Sequence, residues 1–254
     1  MEDFITPKQA ALRLADHFAR QAGKRPAITY AKMKVLVEMG LLTNHGQGRP
    51  LVSAREVDAL AENTVYLPSY DHLDAPVFRV SIAHQQENPV YSAIDGALLR
   101  EYSGFDYSNE LGLSDLERRA SFEGVWSISD ENADYLVDTG AYLIATSKGY
   151  VAPANIRKIT SWEPIEGSPK KYFHTDPLGD DDVLAGTPGQ GWWIDVPSGR
   201  ESNIDYDPID HEAPATSGAG FGQAPLDHLI QMKKKQIAEL DELIARKAAE
   251  LSNS

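Results

Sequence analysis

Apolar residues near the N-terminus recur at the three- and four-residue spacing that places them on one face of a helix. They are Ala10, Ala11, Leu14, Ala15 and Phe18. Thr6 supplies a side-chain oxygen for the free N–H groups of a first turn, and Pro7 suits the first helical position because its missing N–H costs nothing there. Gly23 and Pro26 end the pattern. The sequence therefore predicts a capped helix from Pro7 to Gly23.

Two more helices are predicted before residue 62. The first follows Thr29 and stops at Gly40, with Met33, Leu36 and Val37 on one face. A polar, glycine-rich turn at 45–50 and a short strand come next. Ser53 is then a good cap for a third helix.

The middle of the chain mixes strand and helix patterns. Val77 to Ile82 alternate as in a strand, and Ser129 begins a helix that runs through Val137. A short helix is predicted at 111–120, and further strands at 125–128, 142–146, 149–152, 156–162 and 172–175. The fold class that follows is α+β, ending in a small antiparallel sheet.

The chain changes character after Asp176, where glycine, proline and acidic residues dominate. Near the C-terminus, Ile230, Ile237, Ile244 and Leu251 repeat every seven residues, and Lys233 and Lys247 interrupt the complementary register. We therefore divide the chain into a helical unit at 1–62, an acidic α+β domain at 63–195, a flexible linker at 196–225, and an amphipathic, coiled-coil-like helix at 226–254. The last segment predicts a homodimer.

Charge is distributed unevenly along the 254 residues, whose formal net charge is -14. Residues 1–60 and residues 148–175 each carry a net charge of +3, whereas the segments between and after the two are strongly acidic. Such asymmetry is typical of chains whose parts have separate tasks. The acidic total argues against a protein that coats nucleic acid over its whole surface, but it leaves room for a local basic face.

Several classes of protein are excluded by composition. The chain has no cysteine, which excludes disulfides, thiolate metal sites and cysteine nucleophiles. No apolar run approaches the ~18 residues that span a bilayer. The start Met1-Glu2-Asp3 lacks the basic residues and apolar stretch of a signal peptide. We therefore expect a cytoplasmic protein that does not contact membranes.

The N-terminal segment resembles the winged helix-turn-helix of MerR-type regulators and phage excisionases. The resemblance rests on Gly40-Leu41 after the second helix, on Arg49 in the glycine-rich turn, and on Ser53–Val57 at the start of the third helix. It covers residues ~6–60, and it implies double-stranded DNA as the partner. The stretch from Phe18 to Ile28 is longer than in the compact form of that family.

A recognition helix needs polar and basic groups at its N-terminal end, where it meets phosphates and base edges. The predicted DNA-binding residues are Lys24, Arg25, Thr29, Tyr30, Lys32 and Lys34 at the second helix and Arg49 in the wing. The alternative is that the three helices form a structural cap or bind another protein.

The second basic segment interleaves cations with aromatic side chains, as in proteins that stack bases beside phosphate contacts. The candidate ligand- or base-binding residues are Tyr150, Trp162, Lys148 and Arg157. Residues ~140–173 resemble the strand pattern of PUA-like domains, the class that includes EVE and ASCH domains, which implies a sensor or reader of modified bases or RNA. The alternative is that these aromatic residues form the core of a small sheet.

Catalytic signals are weak. His174-Thr175-Asp176 offers a base beside an acid, but nothing marks a nucleophile, and the histidines lack metal-ligand spacing. We therefore expect no enzyme, no cofactor and no metal. The leading hypothesis is a dimeric DNA-binding regulator or accessory factor with a central sensor domain. The alternatives are a phage or mobile-element assembly protein without direct DNA contact, and a nucleic-acid-modifying enzyme.

Overall fold

The computed structural model of the chain describes residues 3–187, 189–196 and 202–208, all within one unit that ends at Pro208. Its α-helices are α1 (Pro7–Ala22), α2 (Tyr30–Glu38), α3 (Ala54–Glu62), α4 (Asp115–Glu123) and α5 (Asp130–Asp138), and a 3₁₀-helix spans Tyr107–Gly112. Its strands are β1 (Phe4–Ile5), β2 (Val52–Ser53), β3 (Thr64–Leu67), β4 (Val77–Ser81), β5 (Gln86–Tyr91), β6 (Leu98–Ser103), β7 (Gly124–Trp126), β8 (Tyr142–Thr146), β9 (Tyr150–Val151), β10 (Ile156–Ile165), β11 (Ser168–Pro177), β12 (Gly191–Ile194) and β13 (Ser202–Tyr206).

The first three helices begin where their caps predict. Thr6 accepts a hydrogen bond from the Gln9 amide, and the Gln9 side chain reaches back to the Thr6 amide, which makes a complete capping box at α1. The side-chain oxygens of Thr29 and Ser53 accept hydrogen bonds from the amides of Lys32 and Glu56, and so cap α2 and α3. The apolar residues predicted for one face of α1 are buried. The predicted order of helix, helix, short strand and helix is therefore confirmed.

The central sheet has six strands in the order β13-β4-β8-β10-β11-β7. It is mixed and not a small antiparallel sheet, because β4 and β8 run parallel. The middle residues of both strands are buried, as expected of parallel neighbours that are covered on both faces. The connection between these strands contains α4, α5, β7 and the two-stranded ribbon of β5 and β6.

A three-stranded sheet joins the N-terminal helices to the rest of the unit. Its order is β3-β12-β9, with β12 parallel to β3 and antiparallel to β9. The fully buried Trp193 of β12 lies 5.9 Å from Phe18 of α1 between ring centroids, and Phe18 also stacks on Tyr66 of β3. The predicted boundary at residue 62 is therefore wrong as a break between separate cores, since one apolar cluster includes residues from both sides.

Strand β13 corrects the predicted linker. Residues 202–206 pair antiparallel with β4. Asp205 forms an ion pair with Arg79, whose side chain is only 1% exposed. A buried guanidinium requires such a partner, so this part of the predicted linker belongs to the folded unit. The rest of the linker after Pro208 and the predicted helix at 226–254 lie outside the described residues. Within the described ranges, no helix is both long and apolar enough to cross a membrane.

Candidate functional site

Asp195, directly after β12, gathers polar groups from distant parts of the chain. Its Oδ2 accepts a hydrogen bond of 2.6 Å from the Tyr66 hydroxyl on β3 and lies 3.3 Å from the Lys24 ammonium after α1. Burial, followed by the hydrogen bond and the charge of Asp195, raises the pKa of Tyr66, so the phenol stays protonated and keeps donating. Asp195 therefore links the helical unit to the central sheets.

Lys32 interacts electrostatically with this carboxylate and with a third lysine, Lys148. Burial lowers the pKa of Lys32 on α2, the negative charge of Asp195 opposes that shift, and the positive charge of Lys148 adds to it. Lys148 lies in the tight turn between β8 and β9, where it adopts a φ of 55°. The structure thus brings together two of the predicted DNA-binding residues and one predicted ligand-binding residue. We call Lys24, Lys32 and Lys148, with Asp195, the lysine cluster.

The other predicted DNA-binding residues of the first basic segment differ in their exposure and in the partners that they have. Tyr30 is 47% exposed on the first turn of α2. Lys34 pairs with Glu38 one turn later at 3.4 Å, and Arg25 pairs with Asp16 at 3.0 Å. Both pairs are exposed, so each contributes little to stability and can exchange for a phosphate. The Thr29 hydroxyl is occupied as the cap of α2.

The glycine-rich turn is ordered by its own backbone. The Asn44 side chain accepts hydrogen bonds from the amides of Gly46 and Leu51, and the His45 amide donates to the Leu51 carbonyl at 2.8 Å. Arg49 is exposed at this turn, and no carboxylate of the described ranges lies within 4 Å of it. The turn therefore presents one unpaired cation on a fixed support.

Tyr150 and Trp162 do not form a pair. Tyr150 lies on β9 in the three-stranded sheet, whereas Trp162 lies on β10 in the six-stranded sheet. Tyr150 is 6% exposed and packs edge-on against Tyr107. Trp162 is half-buried, and its indole N–H donates to Asp134 at 2.9 Å. Both side chains serve packing, as the alternative interpretation expected.

Arg157 is also a structural residue. Its side chain is 2% exposed, and its guanidinium donates to the hydroxyl and carbonyl of Thr175 and to Asp115. Its polar groups are thus engaged within the fold, away from Tyr150. Of the four candidate ligand-binding residues, Lys148 alone is exposed.

The partner of His174 is Glu163 and not its sequence neighbour Asp176. Its Nε2 lies 2.7 Å from Glu163, and the other oxygen of Glu163 accepts a hydrogen bond from Ser92. The carboxylate therefore lies between the hydroxyl and the imidazole. Nucleophilic catalysis needs the imidazole next to the hydroxyl, so this trio is not arranged to activate Ser92.

Sequence reasoning missed Asp195, on which the lysine cluster depends. The neighbouring apolar residues Trp192–Ile194 indicate a buried segment, but the bond between Tyr66 and Asp195 joins residues 129 positions apart. No local sequence pattern predicts a contact between residues so far apart in the chain. Neither a protein-family model, a curated protein nor a solved structure matches this chain. The functional argument therefore rests on the geometry of the site.

Proposed function

We propose that this protein binds double-stranded DNA, with the lysine cluster as its main contact to phosphates. The observation that supports this proposal is the meeting of the two basic segments. Lys24 pairs with Asp195, and Lys32 interacts electrostatically with both Asp195 and Lys148, on a chain that is otherwise strongly acidic. Phosphate contacts from lysine and arginine supply most of the sequence-independent affinity for DNA. Confining them to one face keeps the acidic remainder of the molecule away from the duplex.

Helix α2 and the glycine-rich turn extend this surface in the proposal. Tyr30 and Lys34 lie on the exposed side of α2, and Arg49 supplies the wing contact that the resemblance to MerR-type regulators implies. Thr29 contributes through its cap, which fixes the start of α2. We propose a regulator or accessory factor whose central sheets act as a sensor or reader, and whose segment 226–254 forms a homodimer that doubles the number of contacts.

The experiment is a salt titration of random duplex DNA with the full chain. We expect the K24A/K32A/K148A variant to bind more weakly at every salt concentration and to lose up to about three units of the slope of log affinity against log salt. An R118A variant, with its change on α4 outside the cluster, is the matched control and should keep the slope of the parent.

The proposal fails if the triple variant and the parent bind DNA with the same slope, or if the parent does not bind at low ionic strength. Circular dichroism of each variant confirms that the change is in binding and not in folding. The intact chain is used because α1 buries Phe18 against Trp193 of β12, so residues 1–62 alone would lack part of their core.

An assembly role without DNA contact is the second candidate, and a different surface favours it. Large apolar side chains are exposed on the β5–β6 ribbon and on α4, with Ile94 73% exposed. The others are Tyr91, Leu98, Tyr102 and Leu116. Exposed apolar groups clustered on neighbouring elements often mark protein interfaces. Loss of assembly on changing Leu98 and Leu116 to Ser, with no DNA binding by the parent, would favour this alternative.

A further inference from the structure

A cavity of about 620 Å³ lies beside the β5–β6 ribbon, away from the residues proposed to contact DNA. Its walls come from the ribbon, the end of β4, α4, β7 and the turn between β10 and β11. Trp126 and Tyr91 supply aromatic surface, and Ser81, Ser103 and Ser121 supply hydroxyl groups. A cavity of this size is typical of a site for a small molecule.

Arg100 of β6 lines this cavity and is only 6% exposed. One guanidinium nitrogen, Nη1, donates to the carbonyl of Gly124. The Nε atom is buried and has no hydrogen-bond partner among the described residues. No carboxylate of those residues lies within 4 Å of the guanidinium. Arg100 thus carries a buried charge for which the described part of the chain supplies no counter-ion.

The other deeply buried arginines show what Arg100 lacks. Arg79 forms an ion pair with Asp205, and Arg157 forms one with Asp115. The buried carboxylate closest in sequence to this region, Glu123, is already held by Thr175 and by the Tyr172 hydroxyl. Removing a charge from water without a partner costs several kcal/mol. A counter-ion from outside the chain would offset that cost.

The pKa of Arg100 is consistent with the requirement for a counter-ion. Burial lowers the pKa of its guanidinium to about 10, with only a partial opposing effect from Tyr172. The group therefore stays charged at neutral pH although it is largely removed from water. Lys170 also lines the cavity, and Glu166 is the carboxylate that lines it, exposed at the turn between β10 and β11.

We propose that this cavity binds a small organic anion whose phosphate or carboxylate group pairs with Arg100. Arginine presents several N–H donors in a fork that matches the oxygens of both groups. Ser81 and Ser103 accept hydrogen bonds from Arg79 and Asn88 and keep their O–H groups to donate to the anion, whereas the Ser121 hydroxyl already donates to the Arg118 carbonyl. The aromatic walls accommodate an apolar or ring-shaped remainder of the ligand. The cavity is too large to be filled by an inorganic anion alone. The proposal is independent of DNA binding, because the lysine cluster shares no residue with this cavity.

The test is thermal unfolding of the full chain titrated with four probes at constant ionic strength. Inorganic phosphate and adenosine monophosphate form the phosphate arm, and acetate and benzoate form the carboxylate arm. A ligand that binds only the folded protein raises the melting temperature in a saturable way. We expect saturable stabilisation in one arm, stronger for its larger probe, and loss of at least tenfold in apparent affinity in R100Q.

Two further variants keep the test decisive if R100Q does not fold. K170A changes a partly exposed residue of the same cavity and should weaken the same probe several-fold. K8A changes an exposed residue of α1 that belongs to neither the cavity nor the lysine cluster, and it should leave the response unchanged. The proposal is overturned if no probe stabilises the parent, or if R100Q and K170A respond as the parent does. A response lost in K148A alone, tested alongside, would place the anion on the lysine cluster and would also overturn it.

Discussion

Tyr150 illustrates, at the scale of one residue, how an aromatic side chain in a basic segment can serve the core. Its ring packs against Tyr107 beneath the turn that carries Lys148. We expect Tyr150→Ala to lower the free energy of unfolding by about 3–5 kcal/mol, as large-to-small changes of buried aromatic residues do. Trp162→Phe keeps most of its packing and should cost about 1 kcal/mol for the lost bond to Asp134. Urea denaturation measures both, and equal costs would contradict the assignment of Tyr150 to the core.

Asp195 gives a second prediction at this scale. Asp195→Asn removes the negative charge that pairs with Lys24 and interacts with Lys32, so we expect affinity for random DNA at low salt to rise several-fold. The same change removes one of the causes that raise the pKa of Tyr66, so this phenol should ionise at lower pH.

Both effects of Asp195→Asn are measurable on one sample. DNA binding is followed by anisotropy, and phenol ionisation by ultraviolet absorbance during an alkaline titration. The raised pKa of Tyr66 stabilises the folded state below the ordinary tyrosine value near 10, and this stabilisation is lost as the pH rises through the folded value. In the variant, the folded pKa lies closer to the ordinary value, so the loss should be smaller and should end at lower pH. Weaker DNA binding with an unchanged phenol titration would contradict the proposed role of Asp195.

At the scale of elements, two glycines that end helices form a natural comparison. Gly23 after α1 and Gly40 after α2 have φ values of 69° and 80°, in the left-handed region. A Cβ atom on Gly23 would meet no heavy atom within 4 Å, whereas one on Gly40 would lie 2.8 Å from the Ser108 amide nitrogen. Gly40→Ala should therefore cost more than Gly23→Ala, by about 1–3 kcal/mol beyond the ~1–2 of the backbone strain common to both.

The measurement for this pair is urea denaturation of the single variants. Equal costs would show that the 3₁₀-helix carrying Ser108 moves aside at no energetic penalty. Gly40 was singled out in the sequence as part of a family motif. The structure gives it a second, purely steric reason to be glycine.

Local signals explain which elements could be predicted from the sequence. Thr6, Thr29 and Ser53 act within one turn of each helix start, so α1, α2 and α3 follow from the residues themselves. The β5–β6 ribbon was missed because five of the six residues of β5 are exposed and Pro89 lies among them. Strand β13 was missed because it stands in an acidic, glycine-rich stretch and is held by Arg79, far away in sequence.

The candidate site, too, could be predicted only where a local sequence pattern reveals it. The sequence supplied its lysines, because cations near a helix start are visible as a local pattern. It did not supply their arrangement, because Asp195 follows β12, and β12 pairs with β3 and with β9 only in the folded sheet. The buried Arg157 was misassigned to a ligand site because a charge pattern does not reveal partners such as Asp115.

At the scale of the whole molecule, the C-terminal boundary of the folded unit is a testable property. A chain ending at residue 196 lacks β13 and leaves Arg79 buried without Asp205, whereas one ending at 208 keeps both. We expect the shorter chain to be less stable by about 3–5 kcal/mol, the cost of breaking a buried pair by removing one partner. Thermal melting compares the two. Equal melting temperatures would show that β13 contributes nothing to the unit.

Self-association is predicted to reside in a different segment. Deleting residues 226–254 removes the seven-residue repeat of Ile230, Ile237 and Ile244 and should convert a dimer into a monomer. The deletion leaves β13 in place, so the melting temperature at a fixed protein concentration should change little. Light scattering measures the mass. The same mass before and after deletion would contradict the prediction of a coiled coil.

The position of β12 and β13 has a consequence for the order in which the chain is made and folded. Strand β3 ends at Leu67, but its partner β12 and the outer strand β13 are synthesised more than a hundred residues later. The emerging polypeptide therefore holds β3 unpaired until residue 194 has left the ribosome, and one edge of β4 unpaired until residue 206 has done so. Such non-local pairing slows folding, because long loops must close before contacts compensate for them. Unpaired strand edges can pair with other chains, so the interval before β12 and β13 are made is the one in which this chain is most exposed to aggregation.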